Sequence, residues 1–178
     1  NENNVKATFF TLGWVAKCCP DLIKRIVDEG HELASHGSNH RRHTSMSEAE
    51  IVKDIKDSKD ILEQISGKPV LGYRAPSFSI NESNEYVFDI LVDLGFVYSS
   101  STYPIEHDLY GVPNWPRFAN KRKEGILEIP IPTILKNGKN KGIGGGGYFR
   151  LFPYWLSKKR IEAYLSQTKQ PYNFYFHP

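Results

Sequence analysis

Cysteine is scarce, long apolar runs are missing and neither sign of charge dominates, and each lack excludes a class of protein. The two cysteines, Cys18 and Cys19, are neighbours, a poor arrangement for an ordinary disulfide bridge or a zinc knuckle. A disulfide-stapled scaffold is thereby excluded, and the expected free thiols favour a reducing compartment such as the cytoplasm. No apolar run approaches the roughly 18 residues needed to cross a bilayer. Residues 1–4 also lack the charged-then-apolar pattern of a secretory leader. Against 20 acidic residues stand 23 basic ones, spread along the chain. The basic stretches at 121–123 and 136–141 read as solvated loops. An acidic polymer would suit them, but no nucleic-acid motif accompanies them, so a nucleic-acid partner is not expected.

What is present is the composition of one globular domain. Of 178 residues, 39% are hydrophobic and 24% charged, enough apolar surface to bury a sizeable core and to exclude a chain dominated by disorder. Residues 5–12 read as a strand whose nearly continuous apolar character predicts cover on both faces. A helix follows, with Pro20 in its first turn, an apolar stripe of Leu22, Ile23, Ile26 and Val27, and Gly30 as its stop. Residues 32–35 make a short strand. Ser47-x-x-Glu50 is a capping box that opens a helix with Ile51, Ile55, Leu62 and Ile65 on one face, ended by Gly67 and Pro69. The alternation continues with a strand near 70–73, a helix near 85–94 closed by Gly95, and strands at 96–99 and 126–131. After a glycine-rich loop, 154–165 reads as an amphipathic helix and 173–177 as a terminal strand. Such alternation predicts an α/β fold around a parallel sheet, open or closed into a barrel, with site residues at the strand C-terminal ends. No linker, repeat or second domain is expected within residues 1–178.

Three segments carry groups capable of chemistry, each where a predicted strand ends. The first is Ser35-His36-Gly37-Ser38-Asn39-His40, with His43 extending the same face. Two histidines four apart converge on one point if the segment turns helically, and neutral imidazole suits Zn, Fe, Ni or Cu. A solvated polar loop fits the same residues. The second is Gly72-Tyr73-Arg74-Ala75-Pro76-Ser77-Phe78, where Pro76 stiffens the strand exit. Arg74 there suits a bidentate contact to a carboxylate, or a plain surface position. The third is Tyr172-Asn173-Phe174-Tyr175-Phe176-His177-Pro178, which sets a histidine at the end of an aromatic run. Such a histidine suits general acid or base work, or a place at the core edge.

Together with Lys6-Ala7-Thr8-Phe9-Phe10 and Gly30-His31-Glu32-Leu33-Ala34-Ser35-His36-Gly37, these segments resemble, in order and spacing, the polysaccharide deacetylase family, the NodB homology domain. The resemblance covers essentially the whole chain. Ser100-Ser101-Thr102-Tyr103-Pro104 and Gly144-Gly145-Gly146-Gly147-Tyr148-Phe149-Arg150 are similar to the branch found with bacterial exopolysaccharide and protein-sorting (exosortase) loci.

The resemblance implies a distorted (β/α) barrel, lacking its first strand here, and a hydrolase that removes N-acetyl groups from an N-acetylhexosamine-containing polysaccharide. His36 and His40 would be two ligands of a divalent metal, Zn²⁺ ahead of Co²⁺ or Ni²⁺. A third ligand and the general base would be aspartates upstream of Lys6. Arg74 would orient that base, His177 would protonate the leaving sugar amine, and Pro76, Phe78, Tyr148 and Tyr175 would bind the substrate. The metal would polarise the acetyl carbonyl and acidify a water, and a backbone N–H would help hold the oxyanion. His31 and His43 match no ligand position. No aspartate motif precedes Lys6, so the expectation is a single catalytic domain truncated at both ends, weakly stable, aggregation-prone and inactive when expressed alone. The branch pattern places an aspartate where Ser99 stands, so the tuning of His177 is expected to differ.

Four other readings compete. Gly142, Gly144 and Gly147 satisfy GxGxxG, but Tyr148 to Pro153 follow where a dinucleotide site needs a helix. A metal-free relative acting on a small amide or ureide, a non-catalytic glycan-binding domain, and a two-histidine-one-carboxylate oxygenase complete the set; the last belongs to an antiparallel fold. The sequence sets no oligomeric state.

Overall fold

The computed structural model describes residues 4–177. Its elements follow in chain order: β1 (Thr8–Thr11), α1 (Gly13–Cys18), α2 (Pro20–Asp28), β2 (Glu32–Ser35), α3 (Glu48–Ser66), β3 (Gly72–Tyr73), α4 (Val87–Asp93) and β4 (Tyr98–Ser99). Then come β5 (Asn120–Lys121), β6 (Leu127–Glu128), β7 (Thr133–Lys136), β8 (Lys139–Gly142), α5 (Gly146–Leu151) and α6 (Tyr154–Thr168). Six strands form one sheet in the order β1-β2-β3-β4-β6-β5. All neighbours are parallel except β5 and β6, which are antiparallel. This is the expected α/β class. Consecutive parallel strands joined by helices place their C-terminal ends, Thr11, Ser35, Tyr73 and Ser99, along one rim.

Local chemistry explains the best-defined elements. Ser47 Oγ accepts from Glu50 N while the Glu50 carboxylate accepts from Ser47 N, so both halves of the capping box form, and Gly67 closes α3 in a left-handed conformation. Ile51, Ile55 and Leu62 of α3 are fully buried with Ile23, Val70, Tyr73, Phe88 and Leu91 in the main core. In α2 the buried face is Ile23 and Ile26, whereas Leu22 is exposed.

The structure corrects several expectations. The first strand is shorter than residues 5–12, and Phe9 is 39% exposed, because β1 lies at the sheet edge and has neighbours on one side only among the described residues. Helix α1 precedes Pro20. Residues 173–177 form no strand; their aromatic rings pack on other aromatics instead of pairing in a ladder. The basic stretch 136–141 is no loop but the tip of a hairpin, β7 against β8, turned by Asn137 and Gly138 at φ 53° and 72°. Two successive positive φ values make the tight turn that suits twisted hairpin strands, and Asn-Gly is the pair that adopts it most readily. A short helix, α5, does begin within the glycine run, at Gly146, contrary to expectation. The dinucleotide reading still fails, since the strand before it is antiparallel and belongs to a separate two-stranded sheet.

Candidate active site

The end of β2 turns back through Gly37, and the turn is held from both sides. Gly13 N and Trp14 N of α1 donate to Gly37 O and Ser38 O, while Asp54 of α3 accepts from Ser38 N at 2.9 Å. Gly37 has φ 76°, and a β-carbon there would stand 2.6 Å from Asp54 Oδ2. Only glycine satisfies both demands. The turn delivers His36 and His40 with ring centroids 5.0 Å apart, edge to face. His40 itself has φ 55°, a left-handed conformation that histidine tolerates better than most residues.

His36 donates from Nδ1 to the Arg74 carbonyl at 2.7 Å. A carbonyl only accepts, so the hydrogen sits on Nδ1 and the Nε2 lone pair is free. Burial pushes the His36 pKa down to about 4 against the opposing hydrogen bond to Arg74; the positive charges of His40, Arg74 and His177 push the same way as burial. A neutral imidazole with its second nitrogen anchored to a carbonyl is the form that binds a metal ion. Histidine donors of this kind fit Zn²⁺, Co²⁺ or Ni²⁺. Among the described residues no group of three or more His, Cys, Asp or Glu is placed to hold a metal, so the pair is a partial ligand set.

Arg74 follows β3 and is not a surface residue. It is 9% exposed, its Nε and Nη2 donate to Ser100 O at 2.9 Å and Ser100 Oγ at 2.7 Å, and its guanidinium lies 4.2 Å from the Phe10 ring centre and 5.4 Å from that of Tyr175. No carboxylate among the described residues forms an ion pair with it. Burial pulls its pKa down to about 10, while Tyr175 and Glu128 pull it back up. Pro76 is buried beside Gly37, so it fixes the strand exit rather than presenting a face to solvent. Ser77 and Phe78 both have positive φ, 54° and 50°, and strain of this kind persists where packing over-determines it. Here Phe78 packs edge-on against Tyr103, Tyr110 and Tyr175.

Tyr175 and His177 reach the same place without a strand. Their rings are 6.2 Å apart, His177 is exposed, and its carbonyl accepts from Arg150 Nη2 at 2.7 Å. The glycine run forms the bed of this segment: β-carbons would meet Tyr172 Oη at 3.2 Å from Gly144, Tyr175 Oη at 2.6 Å from Gly145 and Phe176 Cβ at 3.0 Å from Gly146. Tyr148 lines a cleft of about 600 Å³ together with His107, Asn140 and Lys141. Thus His36, His40, Arg74, Phe78, Tyr175 and His177 gather at one rim, Tyr148 borders the neighbouring cleft, and Pro76 lies beneath. Ser99 is fully buried and donates to Ser101 Oγ at 2.8 Å, with no hydrogen bond to His177. His43, apart from the ligand pair, shares a 2.8 Å hydrogen bond with Tyr73 in the core. Sequence reasoning gave Ser100 no role at the site, yet its carbonyl and hydroxyl accept from Arg74.

Residues 1–99 match the family model described as Polysaccharide deacetylase, and residues 100–178 match one described as Domain of unknown function (DUF3473). The segments that resemble the exopolysaccharide-locus branch, 100–104 and 144–150, both fall in the second match. A Bacillus cereus peptidoglycan-N-acetylglucosamine deacetylase is 33% identical over 193 residues, covering 98% of this chain and 65% of that protein. The chain therefore spans less than two thirds of that relative's length. Among solved structures, a Mycobacterium smegmatis protein of the polysaccharide deacetylase type has a TM-score of 0.59 at 28% identity, covering 73% of this chain and 42% of that one. A CE4 family pseudoenzyme from Bacillus anthracis has a TM-score of 0.50 at 26% identity, covering 55% and 36%. With over half its residues matched by that family model and nearly its whole length by that relative, this chain belongs to the polysaccharide deacetylase family.

Proposed function

We propose that the protein carrying this chain is a metal-dependent hydrolase that removes N-acetyl groups from an N-acetylhexosamine-containing polysaccharide. The observation that carries the reading is the His36–Arg74 contact: one hydrogen bond fixes the tautomer of an imidazole that burial keeps neutral, leaves Nε2 free, and ties the ring to the strand end that holds the guanidinium. His36 and His40 would hold the divalent ion, Zn²⁺ ahead of Co²⁺ or Ni²⁺. When bound, such an ion polarises a carbonyl and lowers the pKa of water. The chain's own residues then have distinct tasks. Arg74, buried and fixed, presents a permanent positive charge toward the rim and orients an anionic base there. His177, exposed and held through its backbone by Arg150, donates a proton to the departing sugar amine. Phe78, Tyr175 and Tyr148 offer ring faces and edges to sugar C–H groups, and Lys141 and Asn140 line the cleft beyond Tyr148 with polar donors. An exopolysaccharide is the favoured polymer, given the similarity of segments 100–104 and 144–150 to that branch.

A second reading has one observation in its favour. One structural neighbour is a pseudoenzyme, which suits a glycan-binding domain without turnover. Acetate release from N-acetylated oligosaccharides by the full protein separates the two. Release that is abolished in a His177→Ala variant supports hydrolysis, and glycan binding without release supports the second reading.

A further inference from the structure

The carboxylate of Glu128 is buried and takes no part in the reaction outlined above. It sits at the end of β6, opposite Ser99 in the register of the sheet, and is 1% exposed. One of its oxygens, Oε1, accepts three hydrogen bonds: from Ser101 N at 2.9 Å, Thr102 N at 2.9 Å and Thr102 Oγ1 at 2.8 Å. Burial raises its pKa, and the Ser99 hydroxyl, followed by the donors of Thr102 and Ser101, opposes the rise.

The residue just before those donors is Ser100, the seat of Arg74. Ser100 O accepts from Arg74 Nε and Ser100 Oγ accepts from Arg74 Nη2, while the same hydroxyl donates to Ile129 O at 2.8 Å. Ser101 Oγ in turn accepts from Ala75 N at 2.9 Å, one residue beyond Arg74. Residues 100–102 thus form a bridge with Glu128 on one side and the Arg74 strand exit on the other. A strand exit of three consecutive small polar residues has little packing of its own to hold its shape, and buried N–H groups at 101 and 102 would be unsatisfied without an acceptor.

We infer that Glu128 is a positioning residue for Arg74: by accepting from 101 and 102 it clamps the turn into the shape that seats the guanidinium. The role belongs to the reach of the side chain and its acceptor oxygen rather than to its negative charge. Its consequence for turnover rests on the deacetylase reading; its consequence for Arg74 does not.

Two variants of the full protein separate reach from charge. Glu128→Gln keeps the length and an acceptor oxygen and loses the charge, whereas Glu128→Asp keeps the charge and withdraws the oxygen by one methylene. The readouts are hydrogen exchange of the Arg74 Nε–H by ¹⁵N NMR, and kcat and KM for acetate release. The expected order places Glu128→Gln within about threefold of the parent protein in both. Glu128→Asp should expose the Nε–H to exchange about tenfold faster and lower kcat roughly 10- to 100-fold with KM little changed, since a displaced group near 1 Å from its productive place costs on that scale. The reverse order, Gln damaging and Asp mild, overturns the inference in favour of charge compensation. Equal melting losses in both variants with unaltered Arg74 exchange also overturn it, leaving Glu128 a fold residue only. If the parent protein releases no acetate yet the Arg74 signal follows the expected order, the positioning role stands and the deacetylase reading falls.

Discussion

Gly145 and Tyr175 are in such close contact that a β-carbon on the glycine would lie 2.6 Å from the tyrosine hydroxyl. Gly145 also has φ 111°, outside the range of ordinary side chains. The pair explains why the glycine run and the C-terminal aromatic segment, far apart in sequence, are one feature. The run is the surface on which Tyr175 lies, and Tyr175 packs in turn on Phe78 and faces Arg74.

Gly145→Ala is therefore expected to destabilise the fold by about 1–3 kcal/mol, from overpacking and backbone strain together. It should also cut acetate release about tenfold or more, because Tyr175 and the segment bearing His177 move with it. Urea melts and initial rates measure the two effects. A neutral outcome in both would mean the segment lies elsewhere in solution.

The sequence was most informative where structure is local. Ser47 and Glu50 cap α3 through contacts three residues apart, and both hydrogen bonds form. His36 and His40 are found together because four residues of turning chain bring them so. Signals failed where distant residues decide. The run 173–177 has the aromatic content of a strand, yet its rings find Phe78, Phe149 and the glycine bed before any strand partner. The hairpin at Asn137 and Gly138 had a turn signal, but Lys136, Lys139 and Lys141 around it masked the flanking strands. Ser100 lies 26 positions from Arg74, and nothing in the local pattern of a Ser-Ser-Ser-Thr run marks it as a partner.

His40 tests the ligand pair. Because its φ is 55°, alanine would add backbone strain, so His40→Asn is the cleaner change. It should remove tightly held Zn²⁺ from the full protein while shifting stability by no more than about 0.5 kcal/mol, as expected for an exposed side chain. Metal content by mass spectrometry and a thermal melt decide it. Stoichiometric zinc in the variant would exclude His40 as a ligand.

His177→Ala is expected to lower acetate release by roughly 100-fold or more, within the range that a general acid contributes. Zinc content should stay at the parent level, since the ligand pair lies on β2 and its turn. A parent-like rate would assign the proton transfer to another group.

Stability should depend on pH through His43. Burial pushes its pKa down to about 4 from an ordinary value of 6.5. The unfolded chain therefore binds the proton first as pH falls, and the stability that the neutral ring contributes is full above pH 6.5 and lost progressively toward pH 4. The loss is on the order of 3 kcal/mol for a shift of this size. His36 adds a loss of the same sign, its pKa being pulled to about 4 as well. Replacing His43 with Gln should flatten, but not abolish, the slope of urea stability against pH across that window. An unchanged slope would show that His43 is already solvated in the native state.

The most direct test is acetate release from an N-acetylglucosamine oligosaccharide by the full protein, measured before and after chelation and again after Zn²⁺ is restored. The account predicts release that disappears with the chelator, returns with zinc and is nearly absent in His177→Ala throughout. Oligosaccharide binding with no acetate under any of these conditions would contradict it.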